Sequence, residues 1–579
     1  MRYLILVLVI TCLKHTSTAQ NIFIPDTLKA SDRALGNKDS LLQFMQGFGA
    51  AFFIDPNKEF PTTWALFRPG MFPLSQTNYS QKKLLFSALP HLGFAYGFGG
   101  QGSQRLRLDY EQQFSNQTLI NMRYDHYKSN GFIRSSELQF SSFDFQIFHS
   151  SKRFKLLGDF SNISNYRQWS GGIATWSSLQ AGNAQLLPVE KNQVFSEQNA
   201  YKGELNGALL LGQDSIKGFR LTTRHYFDSR LRKYNETDSL ELFYSQLYLN
   251  NDSCRDRFAT SILNNELGLG FQSKRANWNS ALQIRKMSWQ DTQFQYDTTE
   301  LNLVNGFDIS FNNLKIKHQN QLNLLGGSNG YTADNLFMLN LPFGKLKALH
   351  QMRNAWPMLM QRTYMSNLTN YQQTQPNREQ TNLVKFNFLY GKEKLNGTFQ
   401  LTLMSAKSIY RFSNSTMNWV LEGPQRAFES GLDISYKIKS LRFTATQLYS
   451  HWKRDDQFVL PPLRSTLALQ FSGGVFKNRA LNVLCSAKLS ALYGAEVRRI
   501  NYLPYIGSID WQVYQNPAID PVNLILNAQF DLALEVKTFR FFLQACNLLS
   551  TLDYTSSLYK AVPFASFQLR FGLTWDFWN

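Results

Sequence analysis

The chain lacks any apolar stretch long enough to cross a membrane as a helix. It has 579 residues, of which 17% are charged, and its longest apolar run is the ten residues 4–13. A spanning helix needs about 20 predominantly apolar residues. The mean hydropathy of −0.32 is also low. These values exclude a helical membrane protein but are compatible with membrane-spanning β-strands, in which half of the side chains face water.

Cysteine is scarce and irregularly spaced. The four cysteines are Cys12, Cys254, Cys485 and Cys546. Cys12 lies within the apolar run near the amino terminus, and the other three form neither a disulfide framework nor the paired spacing of a zinc site. The sequence therefore predicts no metal and no cofactor.

The sequence also lacks a recognisable catalytic motif. Its eight histidines are isolated, and none belongs to a nucleophile elbow or an HExxH helix. The best candidate pair for acid–base chemistry is His225 with Asp228. We expect the chain not to be an enzyme.

The amino terminus has the features of a removable export signal. Residues 1–3 carry one positive charge, residues 4–13 are apolar, and Ser17, Thr18 and Ala19 form a small-residue cleavage site. The sequence predicts a signal peptide over residues 1–19 and export from the cytoplasm of a Gram-negative cell. We do not expect nucleic acid as a partner, because an exported protein would not meet it.

The carboxyl-terminal segment has the pattern of a membrane β-strand. In residues 567–577 every odd position is apolar and every even position is polar or small. Such alternation places Phe567, Phe571 and Trp575 on one side and Arg570 on the other. Eleven residues match the roughly 9–11 that a tilted strand needs to cross a bilayer.

The same alternation recurs from about residue 90 onward. Working back from the carboxyl terminus to about residue 258, short and long connections alternate over about fifteen strands, as they do when periplasmic turns are short and extracellular loops long. Before residue 258 the strand count does not fit this rule, so a strand there is missed or overcalled. Long connections fall at 354–380 and 494–520. Short turns fall near 536–538, 477–479, 437–440, 391–394, 342–344 and 312–313. We predict an all-β fold with one large antiparallel transmembrane barrel of 18–24 strands over residues 89–579.

Residues 20–88 do not share the alternating pattern. Pro56, Pro61, Pro69 and Pro73 interrupt any long strand in this segment. It is predicted to be an amino-terminal extension, either a periplasmic segment, a plug inside the barrel or a poorly ordered arm.

Several short motifs occur in an order typical of one family. They are residues 92–99 before 105–114, residues 169–173, residues 187–189 before a strand near Tyr201, the pair 547–548, and residues 571–577. In these motifs the mature chain resembles, over its full length, the β-barrel porins common in the Bacteroidetes. The resemblance implies an outer-membrane barrel that conducts small solutes, without catalytic residues.

The last residue departs from a common pattern of outer-membrane barrels. It is Asn579 rather than the terminal Phe that many of them carry. Recognition by the barrel assembly machinery is therefore expected to depend on a group of aromatic residues, which comprises Phe571, Trp575, Phe577 and Trp578.

Basic residues collect where strands leave short turns. Without Arg2 and Lys14 of the signal peptide, 58 Lys and Arg residues face 41 Asp and Glu residues, a net charge of +17. Inward-facing cations near the periplasmic mouth would concentrate anions. The alternative is that they are solvated wall residues, partly neutralised by Asp531, Glu535 and Asp576. The predicted lumen basic group is Lys315, Lys317, Lys345, Lys347, Arg442 and Arg540.

Three functions agree with these observations. The first is a porin for passive diffusion of small hydrophilic solutes, with a weak anion preference. The second is a gated or substrate-specific transporter, in which residues 20–88 would pack inside the barrel. The third is a structural or secretion-associated barrel, with an occluded lumen or a large apolar patch on its loops. In each case the predicted location is the outer membrane, where lipid and lipopolysaccharide are the partners; the oligomeric state is left open.

Overall fold

A computed structural model describes most of the chain from residue 89 onward. The described residues are 89–174, 186–212, 217–238, 240–244, 246–326, 330–357, 362–372, 377–413, 418–454, 457–458, 462–476, 480–494, 501–506, 508–510, 524–549 and 567–578. The predicted signal peptide, the 20–88 extension and the turn at 477–479 lie outside them and stay predictions.

The described part of the chain is almost entirely β-structure. One short helix, α1, covers Leu240–Phe243, and none of the described helical structure is long and apolar enough to cross a membrane. The strands are β1 (His91–Gly99), β2 (Ser103–Ser115), β3 (Thr118–Ser129), β4 (Leu138–Ser150), β5 (Phe154–Gln168), β6 (Val194–Leu210), β7 (Gly218–Glu236), β8 (Cys254–Gln272), β9 (Ala276–Gln290), β10 (Gln295–Phe311), β11 (Leu314–Leu325), β12 (Tyr331–Leu341), β13 (Gly344–Ala355), β14 (Thr363–Met365), β15 (Asn370–Gln372), β16 (Glu379–Gly391), β17 (Leu395–Ser413), β18 (Asn418–Glu422), β19 (Gln425–Ile438), β20 (Leu441–His451), β21 (Lys453–Arg454), β22 (Gln457–Phe458), β23 (Leu463–Gly474), β24 (Asn482–Tyr493), β25 (Asn501–Leu503), β26 (Ser508–Asp510), β27 (Leu524–Val536), β28 (Phe539–Cys546) and β29 (Gln568–Trp578).

Twenty-two of these strands form one closed antiparallel barrel. Each pairs with its neighbour along the chain, and the last strand, β29, pairs with the first, β1, from His91 opposite Trp578 to Gly99 opposite Arg570. The predicted barrel of 18–24 strands is confirmed. The seven other strands, which are β14, β15, β18, β21, β22, β25 and β26, lie in connections between barrel strands.

Short turns and long connections alternate as the sequence predicts. The turns at 312–313, 342–343, 392–394, 439–440 and 537–538 each join two barrel strands, whereas 23 residues separate β13 from β16 and 30 separate β24 from β27. Lys439 and Lys537 adopt positive φ angles of 50° and 54°, as tight hairpin turns require. We assign the end with short turns to the periplasm.

The alternation along each strand separates an apolar outer wall from a polar inner wall. On β27, Leu524 and Leu526 are 47% and 46% exposed, whereas Asn527 and Asp531 are 5% and 8% exposed. On β29, Arg570 turns inward and donates a hydrogen bond of 3.1 Å to Gln544. The predicted face of Arg570 is confirmed. The polar side chains of the inner wall have low exposure because neighbouring side chains on that wall contact and cover one another.

One line of polar side chains crosses the apolar outer wall over six strands, β9 to β13 and β16. We call it the outer-wall ladder. Seven residues form it, and each can donate to the next in one direction. His318 is 2% exposed and stacks on Phe307 with ring centroids 4.7 Å apart. The order of the ladder is Ser280, Asn305, Asn320, His318, Asn335, His350 and Asn382.

Candidate functional site

The inner wall of β2 to β8 carries a network of arginines and carboxylates. Arg105 Nε donates a hydrogen bond of 2.9 Å to Asp125, and Asp109 forms ion pairs with both Arg107 and Arg123. These side chains occupy alternate positions of adjacent strands, so that each charge lies opposite or diagonal to its partner. This part of the inner wall carries many charged side chains, but its arginines and carboxylates largely neutralise one another.

Farther around the barrel the same arrangement repeats. Arg224 on β7 bridges Glu204 on β6 at 2.9 Å and Glu266 on β8 at 3.5 Å. Asp228 binds Arg230 through two hydrogen bonds of 2.8 Å. A polar solute inside the barrel would therefore meet both donors and acceptors on this wall.

The predicted lumen basic group is divided between paired and unpaired cations. Lys315 and Lys317 on β11 lie 3.0 Å and 3.3 Å from Asp308. Among the described residues, no carboxylate lies within ion-pair distance of Lys345 or Lys347 on β13. Met338 pairs with both Lys315 and Lys347, so these two lysines are two strand spacings apart, about 10 Å.

The other two members of the group differ from each other. Arg442 is exposed beside the turn at 439–440 and pairs in register with Lys437. Arg540 is 6% exposed and lies 3.3 Å from Glu535 and 4.0 Å from Asp576. The structure thus places the four lysines on two strands, β11 and β13, that only β12 separates, while Arg540 belongs to a different, neutralised cluster.

That cluster closes the seam between β1 and β29. His91, which is 0% exposed, lies 3.0 Å from Asp576 and 3.7 Å from Glu111. It thereby links the first barrel strand to the last across 485 residues of sequence. The predicted assembly aromatics lie on the outer side of the same seam: Phe571 contacts Phe98, and Trp575 stacks on Phe577 with centroids 4.5 Å apart. The side chain of Trp578 lies outside the described residues.

Long extracellular connections reach across the mouth of the barrel. Tyr505 lies in the connection between β24 and β27, yet its ring is 6.3 Å from Tyr234 on β7 and 6.2 Å from Tyr244. In the closed ring, β7 is the seventh strand and β24 the nineteenth, so the two lie on nearly opposite sides. The contact between Tyr505 and Tyr234 therefore spans the opening.

Fifteen buried residues gather around this contact, and we call them the loop cap. They come from the upper ends of barrel strands and from four long connections. Their side chains are at most 7% exposed, which is unlike the solvated loops of an open pore. The loop cap consists of Val194, Tyr234, Leu240, Cys254, Phe258, Trp289, Tyr364, Leu368, Tyr371, Tyr410, Phe412, Trp419, Leu503, Tyr505 and Ile506.

Asn367 fastens the loop cap to the barrel. Its backbone N–H donates to Asp256 at 2.8 Å, and its side-chain oxygen accepts from the N–H groups of Leu249 and Asn250. Its side-chain NH₂ donates to the carbonyl oxygens of Asn250 and Ser253. Five hydrogen bonds on one residue that is 2% exposed hold the connection after β13 against the connection before β8.

A second fastening lies at Glu236, at the upper end of β7. Glu236 accepts hydrogen bonds from Lys191, Tyr234 and Tyr244 at 2.6 Å, 2.6 Å and 2.8 Å. Burial, together with the charge of Glu236, raises the pKa of Tyr244 well above its usual value. Burial likewise raises the pKa of Tyr364 and Tyr371 in the connection after β13. These hydroxyls therefore stay neutral at physiological pH.

Sequence reasoning missed the loop cap and misjudged one pair. His225 faces outward and binds Asn265 at 2.9 Å, whereas Asp228 faces inward toward Arg230. Because residues three apart in a strand lie on opposite faces, the candidate pair of His225 with Asp228 is wrong. The loop cap depends on contacts between residues more than 100 positions apart, for which the sequence pattern holds no signal.

A closed antiparallel barrel with an apolar outer wall and a charged inner wall is the architecture of outer-membrane β-barrels, and the chain is a protein of this class. The family model described as "Putative porin" matches residues 73–579. The chain therefore belongs to that porin family, as its motifs predict.

Solved structures of a transporter and of receptors share the fold. The copper transporter OprC superposes with a TM-score of 0.60 at 9% identity, over 86% of this chain and 81% of that one. BauA, the ferric preacinetobactin receptor from Acinetobacter baumannii, gives 0.56 at 10%, over 85% and 80%. The open form of Fiu, the ferric-catecholate import receptor from E. coli K12, gives 0.55 at 10%, over 86% and 82%. At these identities the likeness concerns the fold alone. No curated protein sequence matches the chain.

Proposed function

We propose that the chain is an outer-membrane pore for small hydrophilic solutes that its own extracellular loops gate. The observation that carries this proposal is the contact of Tyr505 with Tyr234 across the mouth. A passive porin needs a mouth that stays open. In the proposed mechanism a solute enters after the apolar side chains of the loop cap separate.

The energetics favour a closed resting state. Opening the loop cap would expose large aromatic side chains to water, each of which stabilises the buried state by about 1.5–3 kcal/mol. It would also break the hydrogen bonds of Asn367. We expect brief openings rather than a permanently open channel.

The neighbouring structures agree with this proposal. OprC, BauA and Fiu are named as a transporter and as receptors for metal or ferric ligands, so the fold accommodates selective uptake. Our proposal includes export by the 1–19 signal peptide, insertion by the barrel assembly machinery, and no catalytic step. The solute itself is proposed only as small and hydrophilic, because the inner wall offers both cations and carboxylates.

A second candidate is an ungated porin with a weak anion preference. It is favoured by Lys345 and Lys347, two inward cations for which no carboxylate among the described residues lies within ion-pair distance. The two candidates differ in open probability rather than in the identity of the pore.

The test compares Asn367→Ala with the wild type in planar bilayers. Losing the four hydrogen bonds of the Asn367 side chain, while the backbone N–H keeps its bond to Asp256, should cost the closed state about 3 kcal/mol or more, which raises the open probability more than tenfold. The matched control is Asn370→Ala, three residues away on β15, where the side chain is exposed. It should behave as the wild type.

Two results would overturn the proposal in different ways. A wild type that stays open, with the same conductance trace as Asn367→Ala, would contradict the gate but leave the passive porin. Absence of conductance in all three folded proteins would contradict the pore itself.

A further inference from the structure

The outer wall contains a groove that differs from its apolar surroundings. It lies between β16, β17, β19 and β20, near their extracellular ends, and encloses about 360 Å³. Its outward-facing apolar residues are Val384, Leu403 and Phe428. β17 continues to Ser413, where it pairs with β18, and residues 423–424 interrupt the wall between β18 and β19 at this height.

Polar groups line the extracellular side of the groove. Arg426 is the second residue of β19, is exposed, and pairs in register with the small Ser405. Among the described residues, no carboxylate lies within ion-pair distance of Arg426. An outward-facing arginine in a membrane protein is tolerated near the interface but costs roughly 2–4 kcal/mol at the midplane. The position therefore favours an anionic partner from the membrane.

The outer-wall ladder ends at this groove. Asn382 uses its side-chain oxygen to accept a hydrogen bond of 3.0 Å from His350, and Asn382 also lines the groove. Within the described part of the chain, no acceptor takes a hydrogen bond from its NH₂ group. Because all hydrogen bonds of the outer-wall ladder run in the same direction, they polarise the NH₂ group of Asn382 and make it a stronger donor.

We propose that the groove binds a phosphorylated lipid of the outer leaflet. A phosphate lies against Arg426 and the amide of Asn382, and an acyl chain follows Val384, Leu403 and Phe428 toward the centre of the membrane. The occupant is an anionic amphiphile because cationic and apolar residues line one continuous groove. A free anion would use only its upper part.

The test measures lipid A retained by the full-length protein after purification in detergent, by native mass spectrometry. The wild type should keep about one lipid A per barrel. Arg426→Glu should reduce the affinity for added lipid A at least tenfold, because it replaces attraction by repulsion. Leu403→Ala should reduce the affinity by a smaller factor without changing any charge.

The matched control is Lys286→Glu, an exposed outward-facing cation on β9 far from the groove. Folding of every variant is checked by heat-modifiable migration, and inorganic phosphate and dephosphorylated lipid A serve as separate competitors. Equal retention by Arg426→Glu and the wild type, or an equal loss in Lys286→Glu, would overturn the proposal. Competition by inorganic phosphate as strong as that by lipid A would show an anion site instead.

Discussion

At the residue scale, the closing seam depends on a match between small and large side chains. A Cβ atom at Gly572 on β29 would lie 2.6 Å from the Cα of Gly97 and 2.7 Å from the ring of Phe542. Phe542 is 1% exposed and packs inside the barrel against Ala95 and Ala533. The glycines thus leave the space into which the ring of Phe542 fits.

We predict that Gly572→Val weakens barrel closure. The valine must displace the backbone of β1 or the ring of Phe542, and overpacking typically costs about 1–3 kcal/mol. The temperature at which the folded barrel loses its fast migration on a gel should fall by several degrees.

The matched control introduces the same side chain two positions away on the same face. The buried hydroxyl of Thr574 has no hydrogen-bond partner among the described residues, so Thr574→Val removes an unsatisfied group and should keep or raise the transition temperature. Identical transitions for the two variants would refute the steric argument.

At the element scale, two-residue turns determine the register of the strands they join, and therefore which residues face each other across the pair. A turn at 312–313 sets Asp308 opposite Lys317, and a turn at 537–538 sets Glu535 opposite Arg540. Both ion pairs could have been predicted from the turns, because antiparallel register follows from turn length. Strands, faces and short turns were accessible from the sequence, whereas the fastening of Asn367 to Asp256, 111 residues apart, was not.

The last strand provides a prediction at this scale. Deleting residues 575–579 would remove four of the nine residue pairs between β29 and β1, and each backbone group left unpaired in hydrocarbon costs several kcal/mol. We expect loss of membrane assembly, seen as absence of the heat-modifiable form. A shorter deletion, of Asn579 alone, should assemble. Normal surface levels of the longer deletion would show that closure does not need this end.

At the scale of the whole molecule, the charge of the lumen should determine ion preference. Replacing Lys315, Lys317, Lys345 and Lys347 by Glu would turn four cations near the periplasmic mouth into anions, two of them beside Asp308. The reversal potential under a salt gradient should shift toward cation preference. The shift should fade as the Debye length falls from about 30 Å at 0.01 M salt to about 3 Å at 1 M. An unmoved reversal potential at low salt would contradict the anion preference and leave the gate untouched.

The outer-wall ladder has a consequence for how a large barrel avoids misalignment. Shifting the register of a strand by one residue would turn its apolar side chains inward, which is strongly unfavourable. A slip of two residues, in contrast, keeps every apolar side chain on the outer wall. On β10, such a slip would set Asn305 opposite His318 or Leu322 instead of Asn320, and neighbouring amides would lose their partners in hydrocarbon. The ladder therefore distinguishes the native alignment from slips by an even number of residues, which hydrophobic patterning cannot detect.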